Sequence, residues 1–402
     1  MQQKLVLVGE RAILALTNVA VVLCLARLLD LESFGAFSTI LALWFFIDVA
    51  RTAVLNPLIA WHPQSAFPEY LFGSWFCLTL GVALFLGVPM LGALSIILSP
   101  QTYARAVALY AMTITFPFAL FYSLRSAFIM QGFLRASLAM SCGLFVFCSI
   151  AIALLWAEGV ARSLSWACAL IAFAHVAAIG LGWSFGSFPV RFSFRHFVGI
   201  LRRLLQNRAA IASTLVLDGP GLGLFSMVLG STGGAVETAR YVASRTLLRP
   251  VGIILNAMEE EDRVLAARSF KGGNTTELRD WYRRARFMPA LIMLGPLILV
   301  LAFGDDLVTL VYGAKYDNIP VSLWAFLMLV NALVWPQIIF LLTSGHARQL
   351  TLAALYSLAF TIILVLGVIL MGHATASEFI LAETGGRLLL IAFLTREITR
   401  VR

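Results

Sequence analysis

Apolar stretches of about 20 residues recur along almost the whole chain, and that is the length an α-helix needs to cross a bilayer. Few charges interrupt them. Of 402 residues, 61% are hydrophobic and only 12% are Asp, Glu, Lys or Arg. A water-facing domain carries roughly 25% charged residues. Lipid must therefore replace water over most of the molecule, and the backbone must satisfy its own polar groups within helices. This excludes a soluble catalytic domain. It predicts an all-α fold, a polytopic membrane bundle of about 12 transmembrane helices, since this length with short loops allows ~10–14.

Hydropathy places the spans at about 8–28, 36–60, 70–98, 105–127, 136–157, 163–184, 208–230, 238–258, 287–303, 319–343, 350–371 and 376–395. The first apolar run lacks the short core and small-residue cleavage site of a signal peptide, so it reads as an uncleaved span. The formal net charge is +9. In a soluble chain that balance would suggest nucleic acid, but here the basic residues cluster between spans, as the positive-inside rule expects. Arg191, Arg195, Arg202, Arg203 and Arg208 fall in one segment. Arg263, Arg268, Lys271, Arg279, Arg283, Arg284 and Arg286 fall in another, and Arg396, Arg400 and Arg402 in the tail. With both termini cytoplasmic, ~20 of the basic residues lie at cytoplasmic ends. The expected location is a bacterial inner membrane. The five cysteines sit singly in apolar runs, which argues against a disulfide framework or a metal site.

The basic segment at 185–208 halves the chain into six-span lobes, 1–200 and 201–402. Both first loops of these halves pair a short turn with small–x–aromatic, Gly35-x-Phe37 and Ala239-x-Tyr241. A parallel duplication would set two six-helix lobes around a central cavity.

Three segments carry a family likeness. Ala26–Arg27–Leu28–Leu29 is followed by Glu32–Ser33–Phe34–Gly35–Ala36–Phe37, with Asp30–Leu31 where Gly-Pro is usual. The stretch Asp218 to Tyr241 resembles a second motif, with Ala239 for the usual glycine and a longer spacing, and Tyr312–Gly313–Ala314–Lys315–Tyr316 resembles a third. Over the whole chain the sequence resembles the bacterial polysaccharide flippases of the multidrug/oligosaccharidyl-lipid/polysaccharide exporter superfamily. The resemblance implies translocation of a polyprenyl-diphosphate-linked oligosaccharide between leaflets, for O-antigen or exopolysaccharide biosynthesis. It implies no cofactor, and as partners the lipid-linked substrate, membrane lipids, a polysaccharide polymerase and a chain-length regulator. It implies no enzymatic activity and no nucleic acid.

Charge inside a span costs about 2.5–3.5 kcal/mol on insertion scales, so each such residue needs a reason. Arg51 follows Asp48 by three residues, on one helical face. The two are either a self-neutralising pair or a cavity cation oriented by its carboxylate. Arg245 and Arg249, four apart, share a stripe with no acid at contact distance in that span, which calls for a cavity, an acid elsewhere, or snorkelling. Arg125, nearer a span end, poses the same choice. Guanidinium forks match diphosphate oxygens. Asp218–Gly219–Pro220–Gly221 should break the seventh span, with Asp218 either a coupling-ion ligand, an arginine partner, or part of a packing kink. Glu383 and Arg387 are spaced as an intrahelical pair. The run Glu259–Glu260–Glu261–Asp262 and the basic stretch after it suit a headgroup-facing surface. Gly304–Asp305–Asp306 suits a helix cap in a short loop. No zinc, triad or phosphate-loop pattern appears.

Three rivals stay open. A peptidoglycan-precursor flippase shares the diphosphate chemistry. A cation-coupled drug exporter of the same fold would favour acidic cavity residues. A membrane ligase or polymerase would need a reactive loop, which the short predicted loops do not supply.

Overall fold

A computed structural model describes residues 2–61, 81, 102–130, 133–157, 163–185, 194–206, 216–217, 223–270, 275–313, 315–316 and 318–401. Among these residues the regular structure is helical throughout. Seven stretches are long and apolar enough to cross a membrane. They are Gly9–Leu28, Leu31–Val49, Leu134–Ala157, Leu164–Phe185, Thr276–Tyr312, Val321–Thr343 and Ala347–Leu370. The expected span at 70–98 lies outside the described residues except for position 81.

The chain divides into two compact units, Met1–Ile211 with Leu222–Met227, and Ala212–Gly221 with Val228–Arg402. The first unit contains α1 (Gln2–Leu28), α2 (Leu31–Trp61), α3 (Thr102–Met130), α4 (Leu134–Ala157), α5 (Leu164–Phe185) and α6 (Phe194–Gln206). Here α4 packs along α1 and α5, and α3 bridges α2 and α5. The inner faces are small or aromatic, with Ala136, Met140, Leu144, Phe121 and Phe128 fully buried. The outer faces of α4 and α5 expose Phe145, Ile150, Leu154, Phe173 and Val176. Such apolar outer faces suit lipid as the surrounding solvent.

The turn between α1 and α2 explains why Asp30 can stand where glycine–proline was expected. Its Oδ1 accepts the Ser33 N–H at 2.8 Å, so it caps α2. Burial alone would raise the Asp30 carboxyl, but the hydrogen bonds from Ser33 outweigh it and the pKa lies below the ordinary value. A lowered folded pKa means the contribution is complete above the unfolded value and disappears as pH falls through the folded one. Asp30→Ala therefore costs about 1 kcal/mol at neutral pH. The wild-type advantage closes on acidification below about pH 4. Melting curves of the two proteins at both pH values check this.

A helix from Phe225 to Thr232 (α7) leads into the rest of the second unit, whose helices are α8 (Gly234–Leu247), α9 (Arg249–Ser269), α10 (Thr275–Ala285), α11 (Met288–Tyr312), α12 (Val321–Thr343), α13 (Ala347–Leu370) and α14 (Ala376–Val401). The central helix is α12, which touches α8, α9, α10, α11, α13 and α14. Its sequence is apolar on all sides, as a helix enclosed by others should be. Close approach of α13 and α14 requires Gly386, where an added Cβ would overlap the Thr361 hydroxyl. The Ser357 hydroxyl uses the same gap to donate to the Gly386 carbonyl at 2.7 Å.

Two expectations need correction. The eighth span at 238–258 is not one helix: α8 ends at Leu247 and α9 begins at Arg249. Pro250 has no N–H to give the preceding turn, so the ladder is interrupted there. Helix α9 then runs on through Glu259–Asp262 to Ser269. Gly304–Asp305–Asp306 is not a loop either. It lies inside α11, just after a break at Phe303 with φ −134° and ψ 19°. Glycine and aspartate favour a helix start, which is the signal that reads as a loop in the sequence.

Candidate functional site

Among the described residues, each unit holds a cluster of ionisable side chains around a buried carboxylate, Glu10 in the first and Glu383 in the second. In the first unit, Glu10 of α1 is 1% exposed. It pairs with Arg125 of α3, whose Nε donates to Oε1 and whose Nη2 donates to Oε2 at 2.6 Å. Ser137 and Ser141, one turn apart on α4, also donate to Oε1, the first at 3.2 Å. The carboxylate is thus gripped by a fork and two hydroxyls from three helices. Two turns along α1, the Asn18 side-chain amide donates to the Tyr122 hydroxyl at 3.0 Å, forming a second polar rung between α1 and α3. An aromatic group surrounds that rung. The Trp44 and Phe118 rings stack at 5.2 Å, and His175 meets the Phe118 ring edge-on at 4.0 Å.

The cluster in the second unit is built from two helices in register. On α8, Tyr241 and Arg245 are one turn apart. On α14, Glu383 and Arg387 are one turn apart. The Tyr241 hydroxyl, fully buried, donates to Glu383 Oε2 at 2.9 Å. Arg245 lies within electrostatic reach of both Tyr241 and Glu383. Arg387 lies within reach of Glu383 and donates from Nη2 to the Leu217 carbonyl at 2.6 Å. That carbonyl stands one residue before Asp218–Gly219–Pro220–Gly221, a segment outside the described residues. Glu383 and Arg387 attract each other across one turn, as their spacing suggested, and each also hydrogen-bonds a group on another segment. Tyr312 donates to the Ala243 carbonyl at 2.8 Å, and Trp324 lies 5.1 Å from the Tyr241 ring. Glu237 bridges Arg240 at 2.6 Å and accepts the Ala376 N–H at 2.8 Å, tying α8 to the start of α14.

The remaining candidates are distributed. Arg249 is half-buried at the first position of α9, beyond the interruption at Leu248. Arg51 belongs to α2, with its side chain outside the described residues, and Asp48 is half-buried on the same helix. Asp218 lies outside the described residues. The structure gathers Arg125 with Glu10, and Arg245 with Glu383. Glu10 and Tyr241 escaped the sequence reading. Glu10 stands at the edge of the first apolar run, where a carboxylate is cheap. The signal was the Ser137–Ser141 pair, two hydroxyls on one face of an otherwise apolar helix. Tyr241 registered only as part of a turn motif.

Chemically, the second cluster holds two half-buried guanidinium groups beside a buried carboxylate. Such forks are suited to phosphate and carboxylate oxygens, two at a time. Its acidic member is held by a tyrosine hydroxyl, which fixes the direction of the carboxylate.

No family model matches the chain, and no curated protein matches it by sequence. Solved structures do match its fold. The inward-facing form of a multidrug resistance MATE family transporter of the MOP superfamily superposes with a TM-score of 0.67, at 15% identity over 96% of this chain and 95% of its own. Lipid II flippase MurJ, in an inward closed conformation, gives 0.70 at 12% identity over 99% and 87%. A MOP superfamily transporter from Pyrococcus furiosus, described as having a binding pocket of reversed polarity, gives 0.60 at 15% identity over 98% and 93%. The architecture is that of an all-α polytopic membrane bundle of about twelve transmembrane helices in two six-helix lobes.

Proposed function

We propose that this chain, having the fold of the MOP superfamily transporters, moves a polyprenyl-diphosphate-linked oligosaccharide across the bacterial inner membrane by alternating access. The product would feed surface or exopolysaccharide synthesis. One observation carries the reading: the Tyr241–Glu383 hydrogen bond with Arg245 and Arg387 one turn beyond it on each helix. Buried arginines cost several kcal/mol in a membrane and persist where they serve a path or a structural pair. A diphosphate headgroup needs fixed cations at membrane depth while its prenyl tail stays in lipid. Arg245 and Arg387 are the leading cations in this reading. Arg249 and Arg51 are further ones, and Asp218 and Asp48 are carboxylates that orient them or bind a coupling ion. Arg125 is committed to Glu10, so its part is to hold α1 against α3 and α4.

Both termini are cytoplasmic in this proposal, and a polysaccharide polymerase and chain-length regulator act downstream. The likeness to lipid II flippase MurJ favours a second reading, a peptidoglycan-precursor lipid, which offers the same diphosphate to the same arginines. A cationic drug would meet the wrong charge there.

Loss of the gene tests the class of activity. The expected result is accumulation of lipid-linked repeat units in the cytoplasmic leaflet, measured by their protection from an added periplasmic glycosidase. Accumulation in the periplasmic leaflet would instead identify a polymerase or ligase.

A further inference from the structure

Helix α6 carries an unusual division of residues. Helical register, at about 100° per residue, brings positions 194, 197, 198, 201, 204 and 205 to one side, all Phe, Val or Leu. Positions 195, 202 and 203, all Arg, fall on the other side, and the helix contains no acidic residue. With 13 residues it is about 20 Å long, too short to cross a hydrocarbon core of about 30 Å. It cannot therefore lie along the membrane normal as a span.

Part of its apolar side stands open, while Phe197 is half-buried. Phe194 is 70% exposed and Val198 46% exposed, and Phe194 stacks on Phe197 at 6.5 Å instead of inserting into the core. The basic helix of the second unit behaves differently. On α10, Leu278, Trp281, Tyr282 and Ala285 are all buried in the core of their unit. So basic amphipathic sequence alone does not leave an apolar face open. On α6 the open face sits beside exposed Arg195 and Arg202. Exposed Phe and Val beside exposed arginines match the boundary between acyl chains and anionic headgroups.

We infer that α6 is an in-plane membrane helix that binds anionic phospholipid headgroups through Arg195 and Arg202 while Phe194 and Val198 enter the acyl region. Cation contacts of this kind contribute independently of the sugar substrate, so this inference stands apart from the proposed transport activity. Each basic residue near an anionic surface is worth about fivefold in affinity, and the effect weakens as salt is raised.

The test is native mass spectrometry of the full-length protein in detergent, titrated with dioleoylphosphatidylglycerol or with dioleoylphosphatidylcholine. The wild type should retain phosphatidylglycerol preferentially. R195Q and R202Q should each weaken that retention about fivefold and the double variant further, with phosphatidylcholine adducts unchanged. The R396Q/R400Q variant removes the same formal charge from exposed positions of α14 and should keep wild-type retention. Both α6 positions are exposed, so the single variants isolate the effect even where the double variant is recovered poorly. Undiminished phosphatidylglycerol retention in R195Q and R202Q, or a loss no larger than in R396Q/R400Q, would overturn the inference.

Discussion

Replacing Glu10 by alanine destabilises the protein by about 3–5 kcal/mol, because it strands a guanidinium inside the first unit. The Arg125 side chain is only 12% exposed, and the Glu10 side chain 2%. Neither group can recover its hydration without unpacking α1 from α3 and α4. Ser137 and Ser141 lose their acceptor in the same step. The loss reflects an uncompensated charge more than the strength of the pair itself. A pair replaced on both sides by apolar groups is often neutral in stability. The E10L/R125M double variant should thus recover most of what E10A loses. Melting followed by tryptophan fluorescence in detergent distinguishes the cases. A double variant as unstable as E10A would show that packing volume, not charge, sets the stability of this cluster.

Arg245→Ala and Arg387→Ala each reduce lipid translocation by about tenfold to a hundredfold, the value of a charge-assisted hydrogen bond of 1.5–3 kcal/mol. The two variants differ in their structural cost. Arg387 also satisfies the Leu217 carbonyl at 2.6 Å, so its removal lowers stability as well as transport. Lysine at 387 keeps the charge but loses the planar fork, and it should restore stability better than transport. Protein yield and melting temperature, measured beside transport, separate the two effects. Full transport by both alanine variants would remove the diphosphate role from this cluster.

Much of the fold is legible because lipid imposes a simple rule. The sequences of α4, α5, α12 and α13 are predominantly apolar, and each forms one helix over nearly the expected range. The rule fails where a break is encoded by one residue. Pro250 divides what hydropathy averages into a single span, and the break at Phe303 hides within a window that stays apolar. The charge clusters were half legible. That Arg125 and Arg245 needed a cavity, a partner acid or a snorkelling route followed from their cost in a bilayer. Which partners they take did not, because the choice is made across helices. Arg125 turns to a carboxylate 115 residues away. Arg387 lies within electrostatic reach of Glu383, four residues back, and also donates to a carbonyl 170 residues away. A local spacing rule finds the nearer carboxylate, and only packing supplies the distant carbonyl. Asp30 shows the opposite case. A departure from a turn motif at that position is explained by a single short-range hydrogen bond to Ser33.

The most direct measurement uses purified protein in proteoliposomes loaded with a fluorescent polyprenyl-diphosphate oligosaccharide, whose outward movement is read by a membrane-impermeant quencher. The account predicts translocation by the wild type that excess undecaprenyl diphosphate inhibits, that a cationic dye does not, and that R245A lacks. Translocation that the dye suppresses and undecaprenyl diphosphate leaves untouched would contradict it.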